Sequence, residues 1–293
     1  MNISKLFQTK HLVFSLEVFP PQKTSSIDTI YKTLANINNL PADYISVTYG
    51  AGGNDAQRNK TCEIASLIKS EYGIEPLPHL TCISSDRAEI SNTLDILKSK
   101  NITNIMALRG DINPNLSIKH DFTHANDLAR FIKEYDNAFN IVGACYPEGH
   151  FECSNIYQDI DNLKIKIDAG INHLITQLFF DNDAFYDFRD KTAAAGITVP
   201  IEVGIMPITN KSQIERTVSM CGASVPHRFA TLINRYSDDP EALRDAGIAY
   251  ATEQIINLIA NGVPGIHIYT MNNIEVAQKI YSNIRSIINS VNK

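Results

Sequence analysis

The chain has 293 residues, of which 44% are apolar, 8% aromatic and 20% charged, with 14 Gly and 12 Pro. These are ordinary values for a folded protein and exclude collagen, coiled coil and intrinsic disorder. Lys plus Arg number 26 and Asp plus Glu 32, a formal net charge of −6; with no local basic patch, such a surface repels nucleic acid.

No apolar run approaches the ~20 residues that span a bilayer, and the N-terminus, MNISKLFQTKH, lacks the pattern of a signal peptide. Five cysteines, an odd count with no C-x-x-C, read as reduced thiols. The expectation is a soluble cytoplasmic protein. At about 150 residues per domain the length would suggest two domains, yet α/β barrels fill roughly 250 residues as one unit.

Strand-like runs recur along the chain, at 13–19 (VFSLEVF), 44–50 (YISVTYG), 77–81 (LPHLT) and 105–109 (IMALR). They continue at 141–146 (IVGACY), 173–180 (HLITQLFF), 201–207 (IEVGIMP) and 266–270 (IHIYT). Helically spaced apolar residues lie between them: Ile27, Ile30, Tyr31, Leu34 and Ile37; Ile90, Leu94 and Leu97; Leu163, Ile167 and Ala169. Ser84 or Ser85 is the expected cap of the helix carrying Ile90, and Gly170 and Gly196 are expected just past helix ends. The stretch 226–261 exceeds one helix and predicts an extra one before the last. Eight strand–helix units without a Pro/Gly/Ser-rich linker predict an α/β fold, a closed (β/α)8 TIM barrel forming a single domain over 1–293.

Active sites of such barrels lie at the C-terminal strand ends, which here carry Glu17, Thr48, Tyr49, His79, Arg109, Gly110, Asp111, Tyr146, Glu148, Gln177, Met206 and Tyr269. In the first strand Phe14, Leu16 and Val18 share one face and Ser15, Glu17 and Phe19 the other. The apolar set suits the helix layer and sends Glu17 inward, where a carboxylate either pairs with a cation or tends to keep a proton for general acid work. Arg109, Gly110 and Asp111 offer a donor fork, a close backbone approach and a carboxylate, or else form a Gly-Asp turn. His79, held by Pro76 and Pro78, reads as a satisfied core histidine or as a site residue. The Gln177 amide on an apolar strand needs partners, from a heteroaromatic substrate or from a neighbouring strand. His120 and His124 are spaced as i, i+4 in a polar loop without a third ligand, so no metal is expected. There is no Walker loop, and no G-x-G-x-x-G follows a strand.

In order along the chain, FSLEVFPP (14–21), SVTYGAGG (46–53), PHLTC (78–82), ALRGD (107–111), CYPEGH (145–150), LKIKIDAG (163–170), ITQLFFD (175–181), VGIMPI (203–208) and HIYTMN (267–272) resemble the methylenetetrahydrofolate reductase family. The resemblance runs from about Val13 to Asn272. It implies a barrel that binds FAD and reduces 5,10-methylenetetrahydrofolate to 5-methyltetrahydrofolate. It gives Glu17 the role of the acid that protonates the folate amine, opening the methylene bridge to an electrophilic iminium. It gives Asp111 that of a carboxylate that tunes the flavin and contacts the folate. Thr48, Tyr49, Ala51, His79, Arg109, Gly110, Asp111, Tyr146, His150, Asp159 and Lys166 fall on the family's flavin site, and Gln177 and Gln213 on its folate contacts.

Thr217 and Asn273 depart from the family, whose bacterial members often carry an aromatic residue and an Arg there. The resemblance further implies NADH or NADPH as electron donor in a ping-pong reaction, a homo-oligomer, and no S-adenosylmethionine-sensing regulatory domain after the last helix. Read without the resemblance, Glu17 and Asp111 also suit a non-redox lyase or aldolase, or a flavin- or folate-binding subunit of a larger redox complex.

Overall fold

Eight parallel strands close on themselves in sequence order, β1 against β2 and so round to β8, which pairs back with β1. The molecule is represented by a computed structural model that describes residues 1–21, 28–37, 40–49, 55–112 and 118–293. The strands are β1 (Val13–Val18), β2 (Tyr44–Val47), β3 (Glu75–Thr81), β4 (Asn104–Leu108), β5 (Asn140–Cys145), β6 (Ile171–Thr176), β7 (Ile201–Ile205) and β8 (Gly265–Tyr269). All eight expected runs are strands, most of them ending one to four residues earlier than the apolar letters extend, because the chain turns away into the loops at the C-terminal strand ends.

A short helix, α1 (Leu6–Thr9), precedes the barrel. The outer helices are α2 (Asp28–Ile37), α3 (Asp55–Tyr72), α4 (Arg87–Ser99), α5 (Ala125–Tyr135), α6 (Ile156–Asp168), α7 (Asn182–Ala194), α8 (Lys211–Cys221) and α11 (Ile274–Val291). The long stretch before β8 holds two helices, α9 (His227–Tyr236) and α10 (Pro240–Ala260), as its length predicts. Ile27 lies outside the described residues. The expected cap at Ser84 or Ser85 is wrong by a residue or two. Asp86 caps α4, its carboxylate accepting from Glu89 N at 2.9 Å while the Glu89 carboxylate accepts from Asp86 N at 2.9 Å. This reciprocal pair satisfies two donors, which a serine alone would not. Gly170 and Gly196 follow α6 and α7 with φ of +112° and +82°, as expected.

Side-chain alternation sorts the core into an outer and an inner part. Phe14, Leu16 and Val18 join Ile45, Val47, Leu80 and Ile105 in the layer between barrel and helices. Val13, Tyr44, Leu77, Met106, Val142 and Ile175 fill the interior together with Ile3 and Leu6. The N-terminal segment therefore plugs the lower end of the barrel. Polar contacts secure it: Ile3 N donates to Asn104 Oδ1 at 3.0 Å, and Ser4 Oγ lies 2.8 Å from His173 Nδ1. With the lower end closed, ligands have access from the upper end.

The buried His173 makes the fold sensitive to acid. Its Nε2 has no hydrogen-bond partner, and burial pushes its pKa from 6.5 down to about 3. An unfolded chain thus takes up a proton that the folded one refuses. The contribution is complete above about pH 6.5 and is lost progressively as pH falls toward about 3. Between pH 6.5 and about pH 5 this one residue should cost about 2 kcal/mol. Urea unfolding at about pH 7 and about pH 5 measures the loss, and His173→Asn should remove most of that difference.

Candidate active site

Glu17 points into the barrel, as the alternation in β1 requires, and its side chain is 16% exposed. It sits opposite Ser46 of β2 and Tyr269 of β8 in the strand registers. Ser46 Oγ donates to Glu17 Oε2 at 3.3 Å. His79 Nε2 of β3 is 3.4 Å from the same oxygen and His267 Nε2 of β8 is 3.7 Å away. No cation from Lys or Arg pairs with Glu17 among the described residues; its neighbours are hydroxyls and imidazoles. Burial pushes the His79 imidazole below its ordinary value despite the adjacent carboxylate, and His79 Nε2 has no hydrogen bond in alignment. Apart from the Glu17 carboxylate 3.4 Å away, that buried atom makes no hydrogen bond at the floor of the mouth, and a bound molecule could supply one.

Two backbone features keep this mouth open and in register. Gly110, two residues past the end of β4, has φ of +86°, and a Cβ there would lie 2.9 Å from Thr81 Cβ. Only glycine fits both the torsion and the space. Across the barrel, the Tyr269 ring passes over Gly204 to donate from its hydroxyl to Thr176 O at 2.6 Å. A Cβ on Gly204 would meet the Tyr269 hydroxyl at 2.6 Å. Burial, with Glu17 nearby, raises the Tyr269 phenol well above its ordinary value, so it stays a neutral donor.

The remaining expected residues form a second group beside the mouth, between β4 and α6. Tyr146 and His150 pack edge to face at 4.7 Å. Lys166 Nζ lies 5.7 Å from the centre of the Tyr146 ring and donates to Ala144 O at 3.1 Å. The buried Asp159 carboxylate accepts from His150 N at 3.1 Å. Burial lowers Lys166 and His150 and lifts Tyr146 to about 12.

Asp111 is exposed at the rim. It is not the partner of Arg109: the guanidinium makes a forked pair with Glu152, with Nη2 2.9 Å from Oε1 and Nη1 2.5 Å from Oε2. This guanidinium holds the Glu152 carboxyl below the usual carboxylate range. On the β2 side Thr48 O accepts from Thr61 Oγ1 at 3.0 Å and Tyr49 OH accepts from Arg58 Nε at 2.9 Å. Ala51 lies outside the described residues.

Gln177 directly follows β6, and its Oε1 accepts from Leu178 N at 2.9 Å. Its amide N–H groups remain to be offered to the cleft. Gln213 has a local task as well. Its Oε1 accepts from Thr209 N at 2.8 Å and Thr209 Oγ1 at 3.0 Å, and from Asn210 N at 3.2 Å, which completes the capping box of α8. Only its N–H groups can therefore serve a ligand. The two departures also have local explanations. Thr217 is buried within α8, and Asn273 caps α11 by accepting from Val276 N at 3.3 Å.

The spacing and burial of β1, β2, β7 and β8 bring Ser15 together with residues that attention to strand ends overlooked, Ser46, Glu202 and His267, all fully buried around the interior below Glu17. Their signal was present in the same period-two alternation that located Glu17. All five cysteines are free, and no group of metal-ligating side chains occurs among the described residues. Nor is any described helix long and apolar enough to cross a membrane.

These features define a (β/α)8-barrel protein whose upper mouth carries an inward carboxylate and an adjoining group of cationic and aromatic side chains. The family described as methylenetetrahydrofolate reductase matches residues 2–285. The 5,10-methylenetetrahydrofolate reductase of Pectobacterium carotovorum subsp. carotovorum is 37% identical over 91% of this chain and 88% of its own. That of Escherichia coli is 36% identical with the same coverage. Methylenetetrahydrofolate reductase (NADH) 1 of Arabidopsis thaliana is 32% identical over 92% of this chain and 48% of its own. A solved protein of Clostridium thermocellum that binds two copies of 5-methyl-5,6,7,8-tetrahydrofolic acid shares the fold, with a TM-score of 0.70 at 15% identity over 98% of this chain and 99% of its own. The chain belongs to the methylenetetrahydrofolate reductase family.

Proposed function

We propose that this chain reduces 5,10-methylenetetrahydrofolate to 5-methyltetrahydrofolate with FAD as carrier and NADH or NADPH as donor, in a ping-pong reaction. The observation that carries this reading is Glu17, an inward carboxylate with no cationic partner from Lys or Arg among the described residues, at the position where the family resemblance places the acid. Glu17 would give its proton to the folate amine. Asp111 at the rim and the amide N–H groups of Gln177 and Gln213 would hold the folate for that transfer.

The side chains present suit FAD. His79 Nε2, which makes no hydrogen bond, offers a contact at the mouth. Arg109 and Lys166 supply the positive charge that a pyrophosphate needs on a net acidic protein. Thr48, Tyr49, Gly110, Asp111, Tyr146, His150 and Asp159 complete the described part of the holding set. When bound, FAD supplies the hydride. We further infer a cytoplasmic homo-oligomer, in keeping with the family resemblance.

Purified protein should be yellow, with absorption bands near those of free FAD. NADH or NADPH should bleach them anaerobically, and methylenetetrahydrofolate should restore them. A colourless protein that takes up no FAD would favour a lyase or aldolase, and bleaching without restoration a passive redox subunit. A second measurement concerns Arg109. Because Glu152 holds its guanidinium, Glu152→Gln should free it for the pyrophosphate and tighten FAD binding about two- to fivefold, in proportion to a half-exposed ion pair. Quenching of flavin fluorescence on titration reads this directly; weaker binding would instead place Glu152 itself in the flavin site.

A further inference from the structure

Below Glu17 a line of hydrogen-bonding groups runs into the closed interior of the barrel. Ser46 Oγ lies 3.3 Å from both Glu17 Oε2 and His267 Nε2. On the other side of the His267 ring, Nδ1 is 2.6 Å from Ser15 Oγ, which is in turn 2.6 Å from Glu202 Oε1. The second oxygen of Glu202 accepts from the Tyr44 hydroxyl. Glu202, Ser15 and His267 are each 0% exposed. The line begins at a half-enclosed carboxylate and ends at one sealed from water.

We propose that Glu202 is a positioning residue for Glu17: acting through Ser15, it fixes which nitrogen of His267 carries the hydrogen and holds the proton that restores Glu17 after each donation. The inference rests on the reading of Glu17 as the proton donor. Ser15 has one hydrogen for two partners, so only two arrangements are open to it. If Glu202 is ionised, Ser15 donates to it and must accept from His267 Nδ1. If Glu202 carries a proton, it donates to Ser15, Ser15 donates to Nδ1, and the hydrogen of the imidazole sits on Nε2, facing Ser46 and Glu17.

Glu202 is 0% exposed and meets no Lys or Arg cation among the described residues, and a carboxyl sealed from water without a cation favours its protonated form, the second arrangement; burial correspondingly raises it above the usual carboxylate range. Tyr44, whose phenol burial raises far from ionisation, remains a donor to Glu202 in both. The other titratable groups facing this line are Asp43, His173, His79 and Tyr269. His173 and His79 are both held back from protonation by burial.

The shift of protons balances without any added reagent. Once Glu17 has given up its proton, Ser46 passes its hydroxyl hydrogen to Glu17, and His267 Nε2 passes its own to Ser46. Ser15 then gives its hydrogen to Nδ1 and Glu202 gives its proton to Ser15. One proton has moved from Glu202 to Glu17, and each bridging group ends as neutral as it began. When product leaves, the shift runs back and returns the proton to Glu202, and Glu17 then takes a proton from solvent. A bound folate would cover Glu17 from solvent, and Glu202 is a reserve reached from the inner side.

The test combines the imidazole tautomer with a half-reaction. In protein labelled with 15N-histidine and measured without turnover, His267 should carry its hydrogen on Nε2 and have a bare Nδ1. Ser15→Ala should abolish that bias. Glu202→Gln keeps a donor toward Ser15 but cannot release a proton. It should leave the tautomer in place, slow flavin re-oxidation by methylenetetrahydrofolate about tenfold or more, and leave flavin reduction by the nicotinamide donor at its wild-type rate. Ser15→Ala carries the same kinetic expectation if Glu202→Gln does not fold. A His267 tautomer unchanged in Ser15→Ala, together with wild-type folate rates in both variants, would overturn the inference. If Glu17→Gln is inactive under that outcome, only this inference falls. If Glu17→Gln retains folate reduction, the reading of Glu17 falls first.

Discussion

Glu17→Gln should leave the flavin reducible by NADH or NADPH while folate-dependent re-oxidation falls about a thousandfold, the size of effect expected when a positioned acid is removed. The amide matches the carboxyl in shape and can still accept from Ser46 Oγ, which stands 3.3 Å from the carboxylate. Neither the barrel nor the flavin site should therefore be disturbed. What the substitution removes is the transferable proton, and neither neighbour described inside the mouth replaces it: burial lowers the His79 imidazole below its ordinary value and Tyr269 is far too weak an acid. The donor half of the reaction asks nothing of this group. Stopped-flow absorbance of the two half-reactions separates the effects, and retained folate turnover would remove Glu17 from the acid role.

The second large effect is on stability. Gly247 lies in α10 against the chain that leaves β7, and a Cβ there would sit 1.7 Å from Ile208 O. The obstacle is backbone, which cannot rotate aside as a side chain would. Ile208 is itself packed among Met206, Leu178, Phe180 and Phe229 beside the mouth. Gly247→Ala should therefore lift α10 off the barrel at a cost of about 3 kcal/mol or more. In thermal unfolding this corresponds to a fall in Tm of roughly 6 °C or more for a chain of this size. An unchanged Tm would mean that α10 does not approach Ile208 so closely.

The barrel was legible because its evidence is repeated eight times: each β-rich run is followed by helically spaced apolar residues, and an error in one leaves seven. Glu17 was legible for a local reason, since apolar neighbours at 14, 16 and 18 fix the facing of residue 17. The same alternation places Glu202 inward, between Ile201 and Val203, and His267 inward, between Ile266 and Ile268. Attention to strand ends passes over both, because they lie deeper. Pairings across the barrel were not legible at all. That Arg109 would be held by Glu152, or that the Gln213 carbonyl would close the cap of α8, depends on loop paths that no short motif specifies. The cap at Asp86 was missed because Ser84 and Ser85 are equally good capping residues, and only the reach back from Glu89 decides among them.

The most direct test is a crystal structure of the protein with FAD and 5-methyltetrahydrofolate bound. The account predicts a Glu17 carboxyl oxygen within hydrogen-bonding reach of the folate amine, with the amides of Gln177 and Gln213 donating to the same molecule. A folate seated elsewhere, with Glu17 facing only water, would contradict it.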